Sequence, residues 1–152
     1  AISALQMGKC DMALVAGASE LFDSKVFGAF AKADMLSPTG RCHTWDASAD
    51  GYLRGEGCGA IFLMPTSAAK PGSIYANLLG ASVMSDGKSA SITAPNGSAQ
   101  EEVIKRVLKV SSIEPSNIDY IEAHGTGTAL GDPIEIEALA EVFAKSKTES
   151  QP

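Results

Sequence analysis

Glu122-Ala123-His124-Gly125-Thr126-Gly127-Thr128-Ala129-Leu130-Gly131-Asp132-Pro133-Ile134-Glu135-Ile136-Glu137-Ala138-Leu139 joins the end of an apolar run to a Gly/Thr-rich loop and then to a helix start. Ile118 to Ala123 reads as a strand, so His124, one of two histidines in the chain, leaves a rigid element with its ring facing a cleft. Gly125 and Gly127 permit positive φ and close backbone approach. Thr126 and Thr128 place two hydroxyls, each donor and acceptor, beside the imidazole. Such a loop can grip an amide-bearing ligand, although a strand-end histidine tied to a carbonyl, with glycines serving only the turn, fits the same spacing. Asp132 reads as an N-cap, Pro133 as the first helical residue and Glu135 as the reciprocal partner of a capping box. Capping alone explains Asp132 and leaves Glu135 open between a structural and a site duty. Ile136, Leu139 and Phe143 share the predicted apolar helix face, with Lys145 and Lys147 near the end where cations suit the dipole.

Outward from this unit the chain alternates. The end of a helix is predicted over 1–8 with Gly8 and Lys9 as its stop, a strand over 11–17, a helix near 24–34, a loop over 36–50 and a strand from Gly57 to Met64. Pro65 to Gly72 reads as a connector, Ile74 to Val83 as a long strand, and Ser98 with Glu101 as the cap of a helix carrying Val103, Ile104, Val107 and Leu108. This order predicts an α/β protein, and no internal repeat is evident.

Composition narrows the function classes. At 45% hydrophobic and 20% charged the chain has globular character, and its longest apolar run, Ala60 to Pro65, is far too short to cross a bilayer. A net charge of −6 disfavours nucleic acid or an anionic membrane, leaving Lys105, Arg106 and Lys109 as a solvated helix face that an acidic partner can use. Three cysteines without a C-x-x-C spacing argue against a disulfide framework or a structural zinc site and suit a reducing, cytoplasmic compartment.

The string EAHGTGTALGDPIEIEAL resembles the decarboxylating β-ketoacyl synthases, and within them the ketosynthase domains of type I polyketide synthases. Gly40-Arg41-Cys42-His43-Thr44-Trp45-Asp46-Ala47-Ser48-Ala49-Asp50-Gly51-Tyr52-Leu53-Arg54-Gly55-Glu56-Gly57-Cys58-Gly59 is similar to that family's GRC-x-x-F-D-x-x-A-D-G-x-x-x-G-E-G-x-G block, with Trp45 in place of the usual Phe. Cys10 to Gly17, Ser85-Asp86-Gly87 and Thr93-Ala94-Pro95-Asn96-Gly97 extend the resemblance over nearly the whole chain. It implies a thiolase-like fold, with residues 1–70 ending the N-terminal half of a ketosynthase and residues 71–152 beginning its C-terminal half.

The implied reaction is a Claisen condensation, in which an acyl group on a cysteine is attacked by the carbanion formed when a malonyl-type thioester loses CO2. By position His124 matches the histidine that drives decarboxylation and stabilises the enolate oxygen. Thr126 and Thr128 match hydroxyls that bond the phosphopantetheine arm of an acyl carrier protein, Phe30 an aromatic of the acyl pocket, and Glu135 an acid in the network ordering the site. Asp132 joins that network, and Phe30 equally fits an ordinary core position. The resemblance thus implies a carrier protein as partner, a homodimeric parent enzyme, substrates carried on phosphopantetheine, and no metal or cofactor held by this segment.

The family's nucleophilic cysteine belongs to a TACSSS-like segment expected roughly ten residues before Ala1. Its second histidine is expected after Pro152. Cys10, Cys42 and Cys58 do not stand where that nucleophile would, and a ketosynthase needs more than twice this length, so the sequence reads as an internal piece of a longer enzyme. A catalytically silent homologue, acting as a chain-length or carrier-binding partner, is the alternative class. A short protein that binds pantetheine or scaffolds a dimer is a third and weaker one.

Three apparent motifs lack the context their chemistry needs. Ser82 to Ser89 ends like a P-loop but has Ser82 in place of the leading glycine. Gly55-x-Gly57-x-x-Ala60 leads into a strand where a dinucleotide site requires a helix. Cys42, His43 and His124 have no metal-ligand spacing, and His43 reads as an exposed loop residue. Arg41, Asp46, Asp50 and Glu56 read as a structural cluster, with Asp50-Gly51 a turn and Arg41 or Arg54 as partner for a buried Glu56.

Overall fold

The computed structural model describes residues 1–87 and 94–148, with side chains through residue 144. Thr93 and the end of the P-loop-like stretch, Lys88-Ser89, lie outside the described residues, as do the side chains of Lys145 and Lys147. The chain divides into two compact units, residues 1–24 with 55–79, and residues 25–54 with 80–152.

The first unit is built on helix α1 (Ile2–Gln6) and two antiparallel strands, β1 (Ala13–Ser19) and β2 (Gly57–Leu63), paired from Ala13 opposite Leu63 to Ser19 opposite Gly57. The expected helix stop is present: Gly8, at φ +64°, follows α1 and donates to the Leu5 carbonyl. Small residues meet across the strands, Ala16 opposite Ala60 and Gly17 opposite Gly59, while Leu14 and Phe62 stand exposed. Glu56 is exposed as well. Its carboxylate accepts from the Leu21 amide at 2.8 Å, a backbone partner that replaces the expected arginine. The connector Pro65 to Gly72 contains a single 3-10 turn, Thr66–Ala68.

The second unit holds helices α2 (Ser24–Lys32), α3 (Gly97–Ser111) and α4 (Gly131–Thr148). α3 packs on α4, and a Cβ on Gly97 would stand 3.4 Å from the Ile134 side chain. The innermost apolar residues are Ala138 and Val142 of α4. The buried stripe of that helix therefore runs through Ala138 and Val142, while Ile136, expected on the core face, is 49% exposed. α3 is also capped differently from expectation. Asn96, not Ser98, is the N-cap and accepts from the Ala99 amide, and Glu101 pairs forward with Lys105 at 2.9 Å. Arg54 lies over Phe27 and Phe30 of α2, with Cζ 5.5 and 5.1 Å from the ring centres.

Two expected strands are not formed. Ile74 to Val83 and Ile118 to Ala123 have no ladder partner, because the sheet among the described residues consists of β1 and β2 alone. Tyr75, Val83 and Tyr120 consequently stand exposed. The Tyr120 hydroxyl donates to the Glu122 carboxylate, a bond that raises the Tyr120 pKa above its ordinary value. In place of a strand before His124 the chain makes a 3-10 turn, Pro115–Asn117, and then irregular backbone.

Candidate functional site

The site grows from the loop that precedes α4. Thr128 prepares the helix start: its carbonyl accepts from the Asp132 amide at 3.2 Å and its hydroxyl from the Gly131 amide at 3.1 Å. The expected capping box is absent, because both of its carboxylates are spent on distant backbone. Asp132, 4% exposed, accepts from the Gly127 amide through Oδ1 and from the Trp45 amide through Oδ2, each at 3.0 Å. Glu135 accepts from the amides of His124 and Gly125 at 2.6 and 2.8 Å. A carboxylate cannot remain buried without such donors, and two amides from a Gly-rich loop supply them at the positive end of a helix.

The segment Gly40–Tyr52 closes on the same loop. The Thr44 hydroxyl donates to the Gly125 carbonyl at 2.5 Å, and the Gly51 amide donates to the Gly127 carbonyl at 3.0 Å. The approach is close enough that the glycines are sterically required. A Cβ on Gly127, at φ +75°, would sit 2.7 Å from the His43 nitrogen. One on Gly51, at φ +137°, would sit 2.6 Å from backbone atoms of Leu36 and Ser37. Gly51 is therefore a contact point, and in place of the turn expected at Asp50-Gly51 the chain turns at residues 43–46 and 46–49. There the Asp46 carboxylate accepts from the Ser48 hydroxyl and amide, and these bonds hold its pKa below the ordinary carboxylate value. His43 is half-buried, not exposed, and its Nε2 bonds the Thr39 hydroxyl at 2.8 Å.

Four of the expected site residues come together. His124, Thr126, Thr128 and Glu135 line one cavity of about 610 Å3, with the Thr126 and Thr128 hydroxyls 3.4 Å apart. Asp132 lies behind them in the loop's hydrogen bonds, and Phe30 lies outside the lining, under Arg54. His124 is exposed, so its ring is open to a ligand in the cavity. The remaining wall is largely apolar: Met35, Ala94, Pro95, Val103, Ile104 and Leu139. Tyr52, Asp86 and Gln100 add polar groups that sequence reasoning missed. For Asp86 a signal was present in the Ser85-Asp86-Gly87 stretch; in the structure its carbonyl accepts from the side-chain amide of Asn96, the α3 cap. No group of three or more potential metal-ligating side chains occurs among the described residues. No described helix is long and apolar enough to cross a membrane.

Residues 1–69 match the family described as beta-ketoacyl synthase, N-terminal domain, and residues 75–152 match beta-ketoacyl synthase, C-terminal domain. The chain is 42% identical over its whole length to a phenolphthiocerol/phthiocerol polyketide synthase of Mycobacterium bovis, of which it covers 8%. It is 43% identical, over 94% of its length, to a polyketide synthase of Bacillus subtilis, of which it covers 3%. Among solved structures it resembles the ketosynthase from module 6 of the Bacillus subtilis bacillaene synthase, with a TM-score of 0.91 and 39% identity over 95% of this chain and 26% of that one. The clasped histidine loop, the matches along both parts of the sequence and the shared thiolase-like fold lead to one conclusion: the chain belongs to the β-ketoacyl synthase family, alongside the ketosynthase domains of polyketide synthases.

Proposed function

We propose that this chain supplies the decarboxylation side of a ketosynthase site, in an enzyme that condenses an acyl thioester with a malonyl-type thioester. The observation that carries the reading is the Glu135 carboxylate on the amides of His124 and Gly125, which fixes the backbone that carries the imidazole at a cavity shared with Thr126 and Thr128. When the malonyl carboxylate leaves as CO2, its C–C bond electrons enter the thioester carbonyl and negative charge develops on the oxygen. A ring N–H of His124 aimed at that oxygen stabilises the charge without reorganising at the moment of reaction. The hydroxyls of Thr126 and Thr128 bond the amides of a phosphopantetheine arm, and the apolar wall accepts its methylene and gem-dimethyl portions. Asp132 and Glu135 act by positioning the loop. Phe30, outside this cavity, belongs to a separate acyl-binding surface in this reading, held by the Arg54 guanidinium.

Residues 1–70 are assigned to the N-terminal half of the ketosynthase and residues 71–152 to the C-terminal half, supported by the two family matches on either side of Pro71. The partner is an acyl carrier protein or domain, the complete enzyme is a homodimer, and its compartment is the cytoplasm. The substrate arm arrives with the carrier, so the cavity needs no resident cofactor.

The test is His124→Ala in the complete enzyme. CO2 release from a malonyl-carrier substrate should fall by at least about a hundredfold, the range expected for removing one preorganised oxyanion donor, while acylation of the nucleophilic cysteine persists. Equal loss of both steps, or loss of neither, would refute the assignment.

A further inference from the structure

Each peptide plane from residue 123 to residue 128 is held by a hydrogen bond. Glu135 takes the amides of His124 and Gly125, and so fixes the planes 123–124 and 124–125. Asp132 takes the Gly127 amide and fixes 126–127, and the Gly51 amide takes the Gly127 carbonyl and fixes 127–128. The remaining plane, 125–126, joins a glycine at φ +50° to the first threonine of the cavity. Its carbonyl accepts the Thr44 hydroxyl at 2.5 Å. Glycine populates several backbone basins at comparable energy, so a plane beginning at Gly125 can rotate cheaply once released. Rotation there would displace Thr126 at the cavity wall, while the planes on either side of His124 stay held by Glu135.

We propose that Thr44 is a positioning residue for this site: its hydroxyl locks the 125–126 peptide plane and thereby fixes how Thr126 is presented at the cavity. The inference rests on the reading of Thr126 as a hydroxyl that bonds the carrier arm. Thr44 stands eighty-one residues from Gly125 in sequence and lines no part of the cavity, so it acts through the loop and touches no reacting atom. Its methyl group is part of the same contact, since a Cβ on Gly125 would stand 2.7 Å from Thr44 Cγ2. Hydroxyl and methyl press on one glycine, and only the hydroxyl constrains the direction of the plane.

The substitutions Thr44→Val, Thr44→Ser and Thr126→Ala in the complete enzyme separate these roles. Thr44→Val keeps the shape and removes the bond. It should raise KM for the malonyl-carrier substrate about tenfold with kcat for decarboxylation nearly constant, because Thr126 loses its hold on the carrier arm while the planes on either side of His124 stay held. Thr44→Ser keeps the hydroxyl and should retain KM within about twofold. If Thr44→Val is insoluble, Thr44→Ala removes the same hydroxyl without added bulk and carries the same expectation. An unchanged KM in Thr44→Val or Thr44→Ala, with KM raised by Thr126→Ala, overturns the positioning role and leaves Thr126 in place. An equal rise in the serine variant overturns it too, since packing would then be what matters. An unchanged KM in Thr126→Ala removes the assignment of Thr126, and the role of Thr44 with it.

Discussion

Glu135 shows how one carboxylate can join a helix to the histidine loop before it. A capping box would have turned its charge back on its own helix start, but the two amides it accepts belong to His124 and Gly125. Replacing it with glutamine leaves one acceptor oxygen and faces the other amide with an NH2 group, a donor against a donor. Glu135→Gln is therefore expected to lower stability by about 1–3 kcal/mol, the cost of an unsatisfied group within a charged hydrogen bond pair. Urea unfolding measures the loss, and faster exchange of the Gly125 amide should accompany it. Unchanged exchange at Gly125 would mean that the carboxylate does not hold the loop in solution. At this scale the sequence singled out residues that the structure gathers at one cavity and its loop, but not their partners. His124, the two threonines and both acids stood out by type and spacing, whereas Trp45 as the second donor to Asp132 lies eighty-seven residues away, beyond any local pattern.

Elements were legible where their signals are local. The helix begun near Pro133, the stop at Gly8 and the strands β1 and β2 follow from a proline in the first turn, glycine conformation and apolar runs. The strands expected at 74–83 and 118–123 were read from apolar runs alone, and an apolar run cannot supply the neighbouring ladder that makes a strand. The N-cap of α3 moved from Ser98 to Asn96 because Asn96 also reaches Asp86, a contact invisible in sequence. Between elements the decisive feature is the clasp of segment 40–52 on the histidine loop, which puts Gly127 against the backbone of Cys42 and His43. Gly127→Ala adds a methyl 2.7 Å from a backbone nitrogen at φ +75°. Left-handed strain and overpacking together should cost about 2–5 kcal/mol, and with the loop displaced the decarboxylation rate should fall as well. A variant as stable as the parent in urea would show that the clasp is not tight.

For the whole molecule, the chain covers about a quarter of the solved ketosynthase it resembles, and 8% of its mycobacterial relative. The sequence carried the family plainly, through one histidine loop and one Gly-rich block, because those motifs encode backbone contacts that few residues can make. The apolar surface of β1, β2 and the segment 74–83 remains exposed in this chain, and periodicity gives no means of assigning its cover. The central claim is that His124 meets the oxygen on which charge develops. The most direct measurement is a crystal structure of the complete enzyme bound to a malonyl-pantetheine mimic that cannot lose CO2. The account predicts the thioester oxygen within about 3 Å of a ring nitrogen of His124, with amides of the arm at the hydroxyls of Thr126 and Thr128. A mimic seated with that oxygen on other donors, and the His124 ring turned from it, would contradict the account.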